Sequence, residues 1–385
     1  MEPSAIGGVI AGMILAVWVY MAAARGLFWL MRERDDAPVV APAAWPSVAA
    51  VVPARDEADC IGDCIGGLLR QRYAGAFSVI LVDDQSRDGT RAKAEAAAAA
   101  LGAGARLTVI EGAALPAGWT GKLWAQHQGV ARAQADYLWL TDADIVHAPD
   151  TLAWLVSHAE RRGDGLTSLM AKLRCESMAE RWLIPAFVFF FAMLYPFAWV
   201  NDARRRTAAA AGGCMLARRD TLQRAGGMTA IRGALIDDCA LARLMKRQGP
   251  IWLGITDRVR SIRPYPAFAD VGRMVSRSAY AQLGYSPLRL VGTVAGVLLV
   301  FVLPAALALF AAGAAQILGL AAWLLMAMLV QPILRVYRMS PLYGLLLPAI
   351  AALYTAFTAS SAWQHARGRG GLWKGRAQAN LVGPS

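Results

Sequence analysis

Long uncharged stretches lie near both ends of the chain. Residues 4–24, 290–334 and 339–364 contain no Asp, Glu, Lys or Arg. Because a helix needs about 20 apolar residues to cross a bilayer core, the first and last stretches each predict one span. The middle stretch is long enough for two spans that turn near residues 313–316. The pattern therefore predicts four transmembrane segments, one before and three after a large central region.

The first segment is predicted to be a retained anchor rather than a secretory signal. It lacks a basic start and runs directly into Arg25, Arg32 and Arg34. Basic residues stay on the cytoplasmic side of membranes, which leaves the N-terminus outside. We therefore predict an anchor over residues 1–31 and a cytoplasmic domain over residues 32–287.

The C-terminal part poses a topological conflict. We predict transmembrane helices over residues 288–364 and a basic tail over residues 365–385. Three full spans after a cytoplasmic domain put this tail outside, on the side that basic residues avoid. Either the tail violates that rule or one segment is re-entrant or interfacial, an alternative that Pro348 favours.

Between the spans, short apolar runs alternate with helical patterns. This alternation predicts an α/β fold with a mainly parallel sheet flanked by helices. Strands are predicted at residues 47–52, 78–82, 107–110 and 137–141, and helices at residues 57–70, 90–101 and 121–135.

Composition agrees with a membrane protein. Hydrophobic residues make up 57% of the 385 residues and charged residues 17%, which is more apolar surface than a water-soluble fold can bury. The net charge of +12 suits anionic lipid head groups. No nucleic-acid-binding motif accompanies this charge, so we expect no nucleic-acid partner. The five cysteines, an odd number in a domain predicted to be cytoplasmic, predict free thiols.

Acidic residues follow the predicted strands at the edge where open parallel sheets bind ligands. No dinucleotide fingerprint and no P-loop sequence occurs, so phosphate must be held in another way. Asp142 and Asp144 stand where the fourth strand ends, and a turn there can aim both carboxylates at one point. Carboxylates suit Mg2+ or Mn2+, which keep coordination places for substrate phosphates. The alternative is a turn or a helix cap before residues 148–158.

Four motifs occur in order at these strand ends. They are VVPARDE at residues 51–57, VDDQSRDGT at 82–90, GK at 121–122 and TDAD at 141–144. With these motifs the sequence resembles the family 2 glycosyltransferases. The resemblance implies a GT-A fold, a nucleotide-diphosphate sugar donor (often a UDP-sugar), inversion at the sugar, and a divalent metal.

The resemblance also implies roles for individual residues. Asp84 is suited to the base edge because a carboxylate accepts the imide N–H of uracil, and the Lys122 ammonium suits the diphosphate. The implied set is Pro53, Arg55 and Glu57 lining the nucleotide pocket, Asp84 at the base, Lys122 and Asp142 approaching the nucleotide, and Asp144, beside Asp142, holding the metal.

Two later motifs look like the acceptor side of the same family, AGGCMLAR at residues 211–218 and LIDDCAL at residues 235–241. Asp238 is then the base that takes the proton of the acceptor hydroxyl, and Asp237 replaces the more usual glutamate. A plain helix N-cap is the alternative. Gly212 and Gly213 let the backbone approach the sugar or simply form a turn.

The arginine-tryptophan segment of processive relatives is only partly present. In RMVSRSAY, Arg277 fits the family pattern, whereas Met274 and Ser278 depart from it. We predict that Arg277 contacts the diphosphate or a lipid phosphate.

Residues 183–200 are apolar and aromatic but are broken by Pro185 and Pro196. A full span there would separate the two halves of the site, so we predict an interfacial segment that opens the site toward a lipid acceptor. A buried core helix is the alternative.

The whole layout resembles the bacterial hopene-associated glycosyltransferases. This resemblance implies a hopanoid acceptor context and the bacterial inner membrane. Ceramide-like and polyprenyl-phosphate acceptors stay open, as do two rival functions, a processive polysaccharide synthase and a non-enzymatic membrane protein or transporter. The uncharged spans disfavour a transporter, because transporters usually carry ionisable groups within their spans.

Overall fold

The computed structural model describes residues 3–371 and 373–375, which form two compact units. We call Glu33–Arg174, Trp199–Pro264 and the described tail residues 373–375 the sheet unit. The described residues up to Arg32, together with Cys175–Ala198 and Tyr265–Gly371, form the helical unit. The second segment of the sheet unit ends at Pro264, whereas the predicted cytoplasmic domain extends to residue 287. Of the predicted anchor and tail, residues 1, 2, 372 and 376–385 lie outside the described residues.

Eight strands form one sheet in the described part of the chain, in the order β3-β2-β1-β4-β7-β6-β8-β5. The strands are β1 (Val48–Ala54), β2 (Phe77–Asp83), β3 (Leu107–Glu111), β4 (Tyr137–Leu140), β5 (Ile145–His147), β6 (Leu166–Lys172), β7 (Met215–Arg218) and β8 (Ile251–Ser261). Strands β3, β2, β1 and β4 are mutually parallel, and β6 is parallel to β8. The β4–β7, β6–β7 and β5–β8 pairs are antiparallel.

Helices flank this sheet and also make up the helical unit. They are α1 (Pro3–Ala23), α2 (Ile61–Leu69), α3 (Thr90–Ala100), α4 (Gly121–Arg132), α5 (Thr151–Arg162), α6 (Met178–Leu194), α7 (Phe197–Val200), α8 (Arg219–Arg224), α9 (Asp237–Lys246), α10 (Phe268–Ser276), α11 (Ala279–Gln282), α12 (Pro287–Val297), α13 (Leu303–Phe310), α14 (Gly313–Leu329), α15 (Gln331–Val336) and α16 (Leu347–Ala366).

The core of the sheet unit follows from the apolar runs. All seven residues of β1 are buried, as expected for a parallel strand covered on both faces. Ile61, Ile65 and Leu68 of α2 belong to the same buried cluster as Val79 and Leu81 of β2. The predicted mainly parallel α/β sheet is therefore present.

Two predicted boundaries are wrong near the first strand. The strand does not stop before Pro53 but continues through it to Ala54, because β4 pairs with β1 only up to Val51 and needs no N–H from Pro53. The following helix begins at Ile61 rather than at Glu57. Asp56 has a left-handed φ of 49°, so the chain turns before the helix can start.

Along the chain, helix α6 lies between two strands of the same sheet. Strand β6 precedes it, β7 follows it, and the two strands pair with Leu166 opposite Ala217. Both ends of the segment around α6 thus return to the sheet unit, and a membrane crossing there would break this pairing. The helix starts with a Ser177–Glu180 capping box and continues through Pro185. Its interfacial placement stays a prediction.

The helical unit contains four helices of sufficient length and apolarity to cross a membrane, among the residues described. They cover Ile6–Ala23, Pro287–Phe310, Gly313–Val336 and Pro341–Ala366. The turn in the long middle stretch falls at residues 311–312, just before the predicted position, and α14 begins at Gly313. Large apolar side chains such as Leu299, Leu309 and Phe310 are exposed, which suits a lipid-facing surface.

Candidate active site

The candidate site lies at the edge of the sheet unit where its parallel strands end. Strands β1, β2 and β4 run in the same direction, so the residues that follow them are close in space. The VVPARDE, VDDQSRDGT and TDAD motifs follow or end these three strands. The fold thus brings the predicted donor-side motifs to one edge.

The first two motifs hold each other through side-chain to backbone hydrogen bonds. The backbone N–H groups of residues 56, 57 and 58 donate to Ser86 Oγ (3.0 Å), Thr90 Oγ1 (2.9 Å) and Asp88 Oδ2 (2.9 Å). Ser86, Asp88 and Thr90 therefore position the loop that carries Glu57. The VDDQSRDGT motif contains these three residues, but its sequence alone gives them no role.

Arg55 and Asp84 form the next contact at this edge. Arg55 Nη1 donates to the carbonyl oxygen of Asp84 at 2.7 Å and lies 3.5 Å from its Oδ2. The Asp84 side chain is 1% exposed, and Pro53 is buried in the strand opposite Val82. Arg55 thus holds the two loops together at the position predicted for the nucleotide base.

Lys122 joins the donor-side and acceptor-side motifs. Its Nζ lies 2.8 Å from Asp142 Oδ1 and 2.9 Å from Asp237 Oδ2. Burial alone would lower the pKa of Lys122, but the two carboxylates raise it well above its usual value. The side chain is therefore an ammonium ion. It is carried by the first turn of α4, whose N-cap residue Thr120 accepts a hydrogen bond from Leu123 N–H.

Asp238 lies next to this ammonium on the first turn of α9. Its Oδ2 accepts a hydrogen bond from Gly212 N–H at 3.0 Å, and its Oδ1 accepts one from Cys239 N–H at 2.7 Å. Burial, and then the negative charge of Asp237, raise the pKa of Asp238 to about 6, while Lys122 opposes the shift. This pKa suits a general base near neutral pH.

Both glycines of the AGGCMLAR motif are closely packed against neighbouring side chains. A Cβ added at Gly212 would lie 3.3 Å from Lys122 Nζ and 3.5 Å from Asp238 Oδ2. A Cβ added at Gly213 would lie 3.0 Å from Ile145 Cδ1. Gly212 therefore allows the backbone to approach the charged groups, and Gly213 allows close packing behind them.

A second charged cluster surrounds Asp144. Arg263 Nε donates to Asp144 Oδ2 at 2.8 Å, and Arg263 Nη2 lies 2.7 and 2.8 Å from the two Glu57 oxygens. Burial opposes the charged form of Arg263, yet Asp144 and Glu57 raise its pKa further above the usual value. Lys374 Nζ lies 2.8 Å from Glu57 Oε1. Sequence reasoning missed Arg263 and Lys374, because neither belongs to a motif.

The TDAD turn separates its two carboxylates. Asp142 contacts Lys122, whereas Asp144 contacts Arg263. Thr141 Oγ1 fixes the turn by donating to Gly213 O at 2.7 Å, and it lies 2.9 Å from His147 Nε2. Burial lowers the pKa of His147 to about 3, so this histidine is a neutral hydrogen-bonding partner.

A divalent metal at this site would need substrate oxygens in addition to the carboxylates. Among residues 3–371 and 373–375 no group of three or more His, Cys, Asp or Glu side chains is arranged to hold a metal ion. Mg2+ is commonly bound by one or two carboxylates plus substrate phosphates, and Asp144 and Asp142 supply that part of the set. These oxygens fit an ion that arrives with a nucleotide.

Arg277 is not part of the sheet unit. It is the C-terminal cap residue of α10 in the helical unit. Its predicted contact with phosphate stays a prediction.

Comparisons with known proteins match the chain to a family model, to a relative in sequence and to solved structures. Residues 46–256 match a family model described as glycosyltransferase like family 2. An N-acetylglucosaminyltransferase of Mesorhizobium japonicum is 31% identical over 142 residues, which cover 36% of this chain and 31% of that protein. The chain thus spans about a third of this relative.

One of the similar solved structures is the mannosyltransferase PcManGT from Pyrobaculum calidifontis in complex with GDP-Man and Mn2+. It superposes with a TM-score of 0.56 at 19% identity, over 93% of this chain and 99% of that one. At this identity the match shows a shared fold.

Proposed function

Because the chain belongs to glycosyltransferase family 2, and is therefore a glycosyltransferase, we propose that it moves a sugar from a UDP-sugar to a lipid acceptor with inversion. The observation that carries this proposal is the cluster in which Lys122 bridges Asp142 and Asp237 beside the base Asp238. A donor-side carboxylate, a cation and an acceptor-side base lie within one site.

The proposed transfer follows from these groups. An acceptor hydroxyl loses its proton to Asp238 while its oxygen forms a bond to the anomeric carbon. The bond from that carbon to the diphosphate breaks, and the nucleoside diphosphate leaves with the electron pair. Lys122 is paired with Asp142 and Asp237. Once the bound donor displaces one of these carboxylates, the Lys122 ammonium can stabilise the negative charge on the diphosphate.

We include a divalent metal, Mg2+ or Mn2+, in the proposal. Asp144 and Asp142 would hold the ion, which would neutralise negative charge at the diphosphate. PcManGT was solved with GDP-Man and Mn2+. Arg263 keeps Asp144 oriented before the ion arrives.

The proposed acceptor class and cellular location are inferred from the apolar helices. Four apolar helices suggest a membrane protein, and a membrane-bound transferase has ready access to lipid acceptors. We propose the bacterial inner membrane with a cytoplasmic catalytic unit. A hopanoid acceptor rests on the family resemblance.

A binding experiment tests the donor. Full-length protein in detergent is titrated with UDP, several UDP-sugars and GDP-mannose, with and without Mn2+. We expect metal-dependent UDP-sugar binding that Asp144→Ala abolishes and Asp220→Ala, at an exposed ion pair with Arg224, leaves unchanged. Failure of every nucleotide sugar to bind would exclude the proposed donor.

A transfer assay tests the base and the acceptor. Membranes containing the protein receive a radiolabelled UDP-sugar that binds, and label in the chloroform-extractable lipid fraction is counted. We expect Asp238→Asn to lower the rate by roughly 100-fold to 10,000-fold while UDP binding persists. Label confined to polymer or water-soluble product would contradict a lipid acceptor.

A further inference from the structure

The end of the chain reaches the candidate donor site. Lys374 Nζ donates to the carbonyl oxygen of Asp56 at 2.8 Å and lies 2.8 Å from Glu57 Oε1. The Lys374 side chain is 22% exposed and that of Glu57 is 10% exposed. Glu57 is thereby held between Lys374 and Arg263. The mechanism above uses neither the tail nor this lysine.

Because of the chain connectivity, this contact limits the possible membrane topologies. After Pro264 the chain leaves the sheet unit, and three of the four apolar helices precede its return at residue 373. Three full crossings would put Lys374 and Glu57 on opposite sides of a bilayer core about 30 Å thick. A contact of 2.8 Å requires an even number of crossings.

The first two of these helices form a hairpin that crosses and returns. A Cβ at Gly319 of α14 would lie 2.7 Å from Leu307 Cβ of α13, and Gln316 Nε2 donates to Ala308 O, so the pair is antiparallel. Helix α14 is parallel to α1, since Gly8 faces Ala314 and Gly12 faces Leu318. It therefore runs toward the same side as the C-terminal end of α1, after which the chain continues into the sheet unit.

The third segment begins beside the second half of α14. Residues 341–346 run antiparallel to α14, with Pro341 O accepting from Gln331 Nε2 (3.1 Å) and Leu345 O accepting from Trp323 Nε1 (3.1 Å). Trp323 is near the middle of the Gly313–Val336 span. The segment thus enters only to about half depth before α16 begins.

Helix α16 then returns to the side from which the hairpin started. Ser361 Oγ donates to Ser276 O at 2.5 Å and accepts from Tyr280 N–H at 3.1 Å. The His365 ring stacks on Tyr285 at a centroid distance of 4.4 Å. These partners directly precede Pro287, where α12 begins.

Basic residues agree with this arrangement. Arg335 and Arg338 follow α14, and Arg367, Arg369 and Lys374 follow α16. If both ends of the third segment are on one side, all five share the side of the sheet unit. This removes the conflict with the positive-inside rule.

We propose that the apolar segment Pro341–Ala366 is re-entrant and that it returns the tail to the catalytic side, where Lys374 is a residue of the donor site. The second clause rests on the proposed donor function. Lys374 secures Glu57 and adds positive charge to a site rich in carboxylates, which favours an anionic nucleotide.

Tags test the topology independently of any activity. One epitope is appended to the C-terminus, a second is inserted between Leu101 and Gly102 of the sheet unit, and a third between Ala312 and Gly313 in the hairpin turn. Each full-length protein is probed with antibody on sealed vesicles of one orientation. We expect the C-terminal tag to behave like the 101–102 tag and opposite to the 312–313 tag. A C-terminal tag that follows the 312–313 tag would overturn the re-entrant segment.

Nucleotide binding tests Lys374. With UDP as the probe and Mn2+ present, we expect Lys374→Ala to raise the Kd roughly tenfold, because a charge-assisted hydrogen bond is lost. Lys374→Arg should restore most of the affinity, and Arg369→Ala, at an exposed tail residue, should leave it unchanged. Unchanged or tighter binding in Lys374→Ala would overturn the lysine's role. Failure of the wild type to bind UDP would remove that role together with the proposed donor, while the tags would still decide the topology.

Discussion

At the scale of single residues, two cationic side chains each pair with two carboxylates in the site. Lys122 is shared by Asp142 and Asp237, and Arg263 is shared by Asp144 and Glu57. Asp238, by contrast, accepts hydrogen bonds from two backbone N–H groups. Burial and the negative charge of Asp237 outweigh these hydrogen bonds and raise the pKa of Asp238, which supports its proposed role as the proton acceptor.

The raised pKa of Asp238 predicts a pH dependence. The base acts only when deprotonated, so kcat/KM should fall as the pH drops through about 6 and level off above it. Because the charge of Asp237 raises this pKa, Asp237→Asn should move the midpoint to lower pH. Initial rates over a pH series on both proteins measure the shift. A midpoint that stays or moves upward would contradict the assignment.

Arg263 predicts a loss of donor affinity on substitution. Arg263→Lys keeps the charge but lacks the planar fork that reaches Asp144 and Glu57 together. We expect a weaker Kd for UDP with Mn2+, and a loss of stability of about 1–3 kcal/mol from unpaired carboxylates. Titration and thermal unfolding measure the two effects. Arg224→Lys, at an exposed pair, is the matched control, and equal effects in both variants would contradict the role.

At the scale of elements, close helix packing places Lys122. Helix α4 approaches β1 and β2 at Gly129, where an added Cβ would lie 2.5 Å from Val51 Cγ1 and 3.0 Å from Val82 Cγ2. The glycine thus sets the distance between the helix and the sheet. Since Lys122 is on the same helix, this packing also positions the ammonium.

Two glycine substitutions test that packing. We expect Gly129→Ala to destabilise the protein by about 1–3 kcal/mol through overpacking, although alanine favours helices. Gly62→Ala in α2, where an added Cβ meets nothing within 4 Å, should be neutral or stabilising by up to about 1 kcal/mol. Thermal unfolding of both variants makes the comparison. Equal melting temperatures would contradict the packing role of Gly129.

At the scale of the whole molecule, a GT-A sheet unit and an apolar helical unit are built from interleaved parts of one chain. The predicted family 2 membership and GT-A fold are confirmed. The four predicted apolar segments are all helical.

The helical unit predicts integral membrane association. After cells are broken, the protein should stay with the membranes in alkaline carbonate and leave them only in detergent, because its apolar helices lose their lipid contacts in water. Immunoblots of the two fractions measure this. Release by carbonate alone would mean that the helices only rest on the surface.

Much of the fold follows from local patterns. Strands β1 to β4 and helices α3 and α4 lie close to their predicted positions, because apolar periodicity and turn residues act over a few neighbours. The predicted start of α2 is wrong because side chains of Ser86, Thr90 and Asp88 hold the preceding loop. Such distant hydrogen bonds leave no periodic signal.

The sequence by itself determined the first four strands with the helices between them, the apolar segments and the acidic residues at strand ends, since each depends on adjacent residues. Only the tertiary structure decided that Lys122 joins Asp142 to Asp237, and that Arg263 and Lys374 hold Glu57. It also placed Ser361 beside Ser276. Partners in these contacts are far apart in the chain, and electrostatic attraction depends on distance in space rather than on sequence separation.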